Sequence, residues 1–142
     1  MTQLSPHFTL DEFTFSQTAA RKGINNDPPT DVLANLQRTA NGMEAVRVVL
    51  GGAPINISSG YRSPALNAAV GGAKNSQHLT GQACDFTSPR FGTVQEVFDA
   101  IRRAGVIYDQ IIIEYQRWVH ISFSEHPKLQ ALIIDNNGTR QA

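Results

Sequence analysis

Apolar and polar positions change rhythm several times along the chain, and each rhythm predicts an element. From residue 30 to about 50, Val32, Leu33, Leu36, Ala40, Met43 and Val46 recur at helical spacing, which predicts an amphipathic helix with Thr30 as N-cap and Asp31 in its first turn. Gly51 and Gly52 end it. The alternation in PINIS, 54–58, predicts a strand that delivers SGYRS as a loop. Ser63 followed by Pro64 reads as an N-cap with proline at the first helical position, opening a short helix that stops at Gly71-Gly72. Thr93 and Glu96 have capping-box spacing ahead of a helix that Gly105 stops. DQIIIEYQRWVHISFS, 109–124, reads as two strands around Tyr115-Gln116-Arg117, a hairpin. Placing Glu114 opposite Trp118 sets Ile112 opposite His120, and the two-residue period puts Gln110, Glu114 and His120 on one face. Residues 129–135 predict an edge strand or a short helix.

The strongest early loop signal, GINNDPPT at 23–30, separates an N-terminal arm, 1–29, from the first helix. With 142 residues, the expected architecture is one α+β domain, 1–142, whose small and mostly antiparallel sheet is flanked by helices. A 41% hydrophobic, 17% charged composition is that of a globular chain. Twelve basic and twelve acidic residues cancel, so no nucleic-acid partner is expected. No stretch has the roughly 18 apolar residues of a membrane span. The N-terminus shows no signal-peptide pattern. Cys84 rules out an internal disulfide and reads as core.

The chemistry is concentrated in NSQHLTGQACDF, 75–86, where His78 and Asp85 stand seven apart. That spacing does not stack on one helical face and suits a loop followed by a strand. In the strand, Ala83 and Asp85 take one face, Cys84 and Phe86 the other. Catalytic zinc takes three protein ligands, commonly histidine and carboxylate, and keeps a fourth position for water. His78, Asp85 and His120 supply such a set. A carboxylate is then needed to move the proton of that water, and Glu114, on the face of His120, is the candidate. His7 and His126 have no partner pattern.

These residues resemble a known family. SQHLTGQACD, 76–85, has the form S-x-H-x-x-G-x-A-x-D. It is similar to the signature of the zinc D-Ala-D-Ala carboxypeptidase family, which includes phage peptidoglycan endopeptidases and shares its fold with the hedgehog signalling domain. The resemblance continues in SSGYRSPALNAAVGG, 58–72, in YDQIIIEYQRWVHISF, 108–123, and in LSPHFTLDEFTFSQTA at the start. It implies one zinc ion per chain on His78, Asp85 and His120. It implies Glu114 as the catalytic base, six residues before the last ligand as in the hedgehog-like arrangement, whereas other branches place that glutamate three before it, where this chain has Arg117. The hedgehog-like arrangement has a histidine where this chain has Trp118. Arg62 is the expected substitute, engaging a substrate carbonyl or carboxylate; its alternative is a structural salt bridge. Ser76 is a candidate for a hydrogen bond to substrate or for a loop cap. Tyr61 and Trp118 are candidate cleft walls.

The implied activity is hydrolysis of peptide bonds in stem or cross-link peptides of bacterial peptidoglycan, as a D,D-carboxypeptidase or an endopeptidase. The alternative is a zinc-containing recognition domain without turnover. A monomer is expected, made in the cytoplasm of a bacterial host and acting on the wall after phage lysis, from a virion, or by non-classical export.

Overall fold

The computed structural model describes residues 2–142. Where the sequence predicted only an arm, four short elements form: strands β1 (Gln3–Ser5) and β2 (Phe8–Thr9), paired antiparallel, then helices α1 (Leu10–Thr14) and α2 (Gln17–Lys22). Thr9 and Glu12 close a capping box on α1, and Ser16 caps α2 by accepting from Ala19 N–H. Phe8 and Phe13 reach into the main core. Asn26 then sews the segment to the chain ahead. Its Nδ2 donates to the carbonyls of Thr14 and Tyr61, at 2.8 and 3.1 Å, and its Oδ1 accepts from Ser63 N–H at 2.7 Å.

The long helix α3 (Thr30–Val49) buries Val32, Leu36, Ala40, Met43 and Val46, the predicted stripe. Its N-cap position is Pro29 rather than Thr30 and carries no side-chain cap bond. Proline fixes φ near the value the helix entry needs, and its carbonyl accepts from Val32 and Leu33. Strand β3 (Asn56–Ser59) follows, then α4 (Pro64–Ala69), capped by Ser63 as its sequence implied. A 3-10 turn (Gln77–Thr80) precedes β4 (Ala83–Thr87). Helix α5 (Val94–Ala104) has the predicted capping box and Gly105 stop.

The remaining strands are β5 (Gln110–Glu114), β6 (Trp118–Ser122), β7 (Gln130–Asp135) and β8 (Gly138–Gln141). The main sheet runs β3-β4-β6-β5-β7-β8, antiparallel except for the parallel β5–β7 pair. Of the predicted stretch 129–135, Gln130–Asp135 form a strand that β8 covers, so it is not the sheet edge. The α+β expectation stands.

Pairing registers fix what each face carries. Asp85 lies opposite His120, His120 opposite Ile112, and Glu114 opposite Trp118. The period of two sends the intervening Cys84, Phe86, Val119, Ile121, Ile111 and Ile113 to the other face, where they join α3 and α5 in the core. One side of the sheet is therefore sealed by apolar packing, and the other presents its ionisable residues to a cleft.

Candidate metal centre

Two donors come from the sheet and the third from the turn before it. Asp85 on β4 and His120 on β6 face each other across one rung, with Oδ1 and Nδ1 2.9 Å apart. His78 enters from the 3-10 turn, its Nε2 3.3 Å from Asp85 Oδ1. The turn is pinned to α3: Thr39 donates to the Gly81 carbonyl at 2.7 Å, and Asn35 to that of Thr80 at 2.9 Å. Gly81 closes the turn at φ +77°, and a Cβ there would lie 2.9 Å from Val32. Only glycine satisfies both the left-handed backbone and the close helix.

The three side chains fit a metal ion. All are buried, and one donor atom from each lies within 4.8 Å of the others. With metal–ligand bonds of about 2.0–2.1 Å, the edge of a tetrahedral site is about 3.3 Å. The His78–Asp85 separation of 3.3 Å is that edge. Nδ1 of His78 faces the carbonyl of Gly60, leaving Nε2 as its free lone pair. Burial alone would raise the pKa of Asp85, but the hydrogen bond from His120 Nδ1 and the adjacent His78 ring outweigh it, and the carboxyl is held well below the ordinary range.

These donors form part of the lining of a cleft of about 900 Å³, together with Arg62, Glu114 and Trp118. Glu114 lies one step diagonally from His120 on the same sheet face, within reach of a long side chain. Burial raises its pKa, the Asp85 charge adds to this, and His120 and the Trp118 N–H partly offset it. The indole N–H of Trp118 donates to Glu114 Oε2, so the ring that lines the cleft also holds the carboxylate.

Arg62 is where both of its readings put it. Its guanidinium donates to Asn67 Oδ1 at 3.1 Å and to Ser59 Oγ at 3.3 Å, and stands 3.7 Å from Asp85 Oδ2. It also lines the cleft, with donors left over from its five. Ser76 caps the 3-10 turn, accepting from His78 N–H at 3.2 Å, while lining the cleft. Tyr61 departs from its expected place. It is only 5% exposed and packs in the core, outside the cleft lining, because its N–H is drawn to the Phe13 carbonyl at 2.7 Å. Cys84 is core as expected, and burial pushes its thiol pKa up. His7 bonds to Glu44, outside the cleft lining.

Sequence reasoning missed Asp109. This buried carboxylate accepts from Gln77 Nε2 at 2.9 Å and from Lys128 N–H at 3.1 Å, tying the His78 turn to the loop before β7. Its one visible signal was an acidic residue at the mouth of an apolar strand.

Three side chains that could hold a metal ion open on a cleft, a ligand count that matches catalytic sites, since closed structural sites take four. The chain belongs to the Peptidase M15 family, whose pattern matches residues 6–122. It is also similar to the zinc D-Ala-D-Ala carboxypeptidase of Streptomyces albus G, at 42% identity over 52 residues. That match covers 37% of this chain and 20% of the relative, so the chain spans about a fifth of that protein's length.

Proposed function

We propose that the chain is a zinc-dependent peptidase that hydrolyses peptide bonds in the stem or cross-link peptides of bacterial peptidoglycan. The observation that carries the reading is a half-buried carboxylate, Glu114, on the same sheet face as a three-donor cluster, in one open cleft. His78, Asp85 and His120 would hold the ion. When bound, it supplies a Lewis acid that polarises the scissile carbonyl and acidifies water.

Glu114 takes the proton of the attacking water and returns it to the leaving amine. A carboxylate whose pKa is lifted above its ordinary value by burial is a stronger base toward the attacking water than a solvated one. Trp118 fixes which way the carboxylate points. Arg62 is held by Ser59, Asn67 and Asp85 and offers its remaining N–H groups to the oxygen on which charge develops. Ser76 presents its hydroxyl at the cleft wall, where it serves the turn and a passing peptide alike.

The test is mass spectrometry of fragments released from purified peptidoglycan by zinc-loaded protein, with Glu114→Ala alongside. New peptide termini with the wild type alone support the reading and name the bond. Retention of zinc and of wall binding by both proteins, with nothing released by either, makes it a recognition domain instead.

A further inference from the structure

The β5–β6 turn builds a second concave surface. A groove of about 450 Å³ is lined by Tyr115, Gln116, Arg117, Trp118, Asp135 and Asn136. It is continuous with the metal cleft, because Tyr115 and Trp118 line both. Their ring centroids stand 6.2 Å apart with planes inclined by 50°.

The backbone here is unusual. Tyr115 and Gln116 have φ of 55° and 56°, the left-handed region that Gly and Asn enter easily and a bulky residue does not. The conformation is enforced by Tyr115 N–H donating to the Ile134 carbonyl at 2.8 Å and Arg117 N–H to that of Glu114 at 3.0 Å. Strain at two successive positions points to a use for the side chains. Core packing is not that use, because Tyr115 is 46% exposed.

The polar rim sorts into engaged and free groups. Asp135 is occupied by Arg140, at 2.7 and 2.9 Å, and by Asn137 N–H. Gln116 donates to Gln95 at 2.9 Å. The guanidinium of Arg117 and the carboxamide of Asn136 line the groove with no side-chain hydrogen bond or ion pair among the described residues. What remains is an aromatic wall flanked by a cation and an amide.

We propose that this groove binds N-acetylhexosamine units of the glycan strand that carries the wall peptide, a proposal that rests on the peptidase reading for its choice of ligand. The C–H face of a pyranose packs on an aromatic ring, and its hydroxyl and acetamido groups seek neutral donors and acceptors. Asn136 supplies both, and Arg117 supplies donors. A glycan seated here leaves its attached peptide to enter the adjoining cleft, past Trp118. Arg117 and Asn136 belong to the groove alone and not to the cleft lining.

The experiment is calorimetric titration of the full chain with a peptide-free tetrasaccharide of alternating N-acetylglucosamine and N-acetylmuramic acid. Hydrolysis of a soluble stem pentapeptide and of intact wall is followed in parallel. Tyr115→Asn removes the ring while keeping a residue that tolerates the left-handed backbone, and Arg117→Ala removes the free cation. Saturable binding is expected, weakened roughly tenfold by each change. Arg117→Ala is also expected to slow hydrolysis of intact wall while leaving that of the free pentapeptide unchanged. No saturable heat, or binding undiminished in both variants, overturns the proposal. A wild type that binds the tetrasaccharide but cleaves neither substrate keeps the groove and removes the peptidase reading; cleavage without sugar binding does the reverse.

Discussion

Nδ1 of His78 lies 2.7 Å from the carbonyl oxygen of Gly60. A carbonyl only accepts, so Nδ1 carries the proton and Nε2 is left to a metal. Gly60 holds that position because its neighbour is main chain: a Cβ there would lie 2.3 Å from the Phe13 carbonyl oxygen. Gly60→Ala must therefore shift the carbonyl that orients His78. Metal affinity is expected to fall by about 10–100-fold, read by competition with a chromophoric chelator. An alanine variant with wild-type affinity would show that this carbonyl does not orient the ring.

Removing the metal is expected to cost stability as well as turnover, because the ion binds the folded arrangement of three separate segments. At a free concentration about a thousand times Kd the linkage is about 4 kcal/mol, on the order of 10 °C in Tm for a domain of this size. Chelation should produce that drop in the wild type. His78→Ala and Asp85→Asn should show lowered metal content and little response to chelator. Stoichiometric metal with an unchanged melt in both variants sinks the ligand assignment.

Glu114→Gln separates chemistry from folding. Turnover is expected to fall by about 10²–10⁴, with metal content retained. Burial raises the folded-state pKa of Glu114, so its ionised form is disfavoured relative to the unfolded chain and its charge costs stability above about pH 4.5. The neutral amide removes that cost. In metal-free protein the variant should melt at or above the wild-type temperature at neutral pH, and a clear loss of Tm would point instead to a structural role.

Acid should loosen the N-terminal segment through Glu44. Burial there tends to raise the carboxyl pKa, but hydrogen bonds from Ser5, at 2.6 Å, and from His7 N–H and Nδ1, at 2.7 and 2.8 Å, bring it below 4.5. A depressed folded-state pKa contributes stability that is present above the unfolded value and lost as pH falls through the folded one. Wild-type Tm should therefore drop below about pH 4.5 more steeply than that of Glu44→Gln. Parallel acid limbs in the two proteins would place the sensitivity elsewhere.

What could be read from the sequence follows the range of the physics involved. The β5–β6 hairpin announced itself because local alternation fixes both faces and register, so His120 and Glu114 could be placed on one face from the spacing alone. The body of helix α3, the Ser63 cap and the Thr93–Glu96 box were legible for the same local reason, whereas the Thr30 cap gave way to Pro29 and the Thr9–Glu12 box went unread. The parallel β5–β7 pair was not, since nothing in residues 129–135 specifies a partner, and β8 is polar throughout and offers no alternation. Strands β1 and β2 are too short to show a period. Tyr61 misled because a loop aromatic beside Arg62 looks like a cleft wall until the Phe13 carbonyl turns its backbone inward. Asp109 was invisible because its partners lie 32 and 19 residues away.

The register that sets Asp85 against His120 also dictates an order of events. The two donors are 35 residues apart in the chain and meet only when β6 has zipped onto β4. A nascent chain that has not yet extruded β6 offers just two of the three donors, His78 on the turn and Asp85 on β4. A full donor set therefore exists only once the loop between Asp85 and His120 has closed, and a ribosome-stalled chain ending before residue 118 should be unable to retain metal.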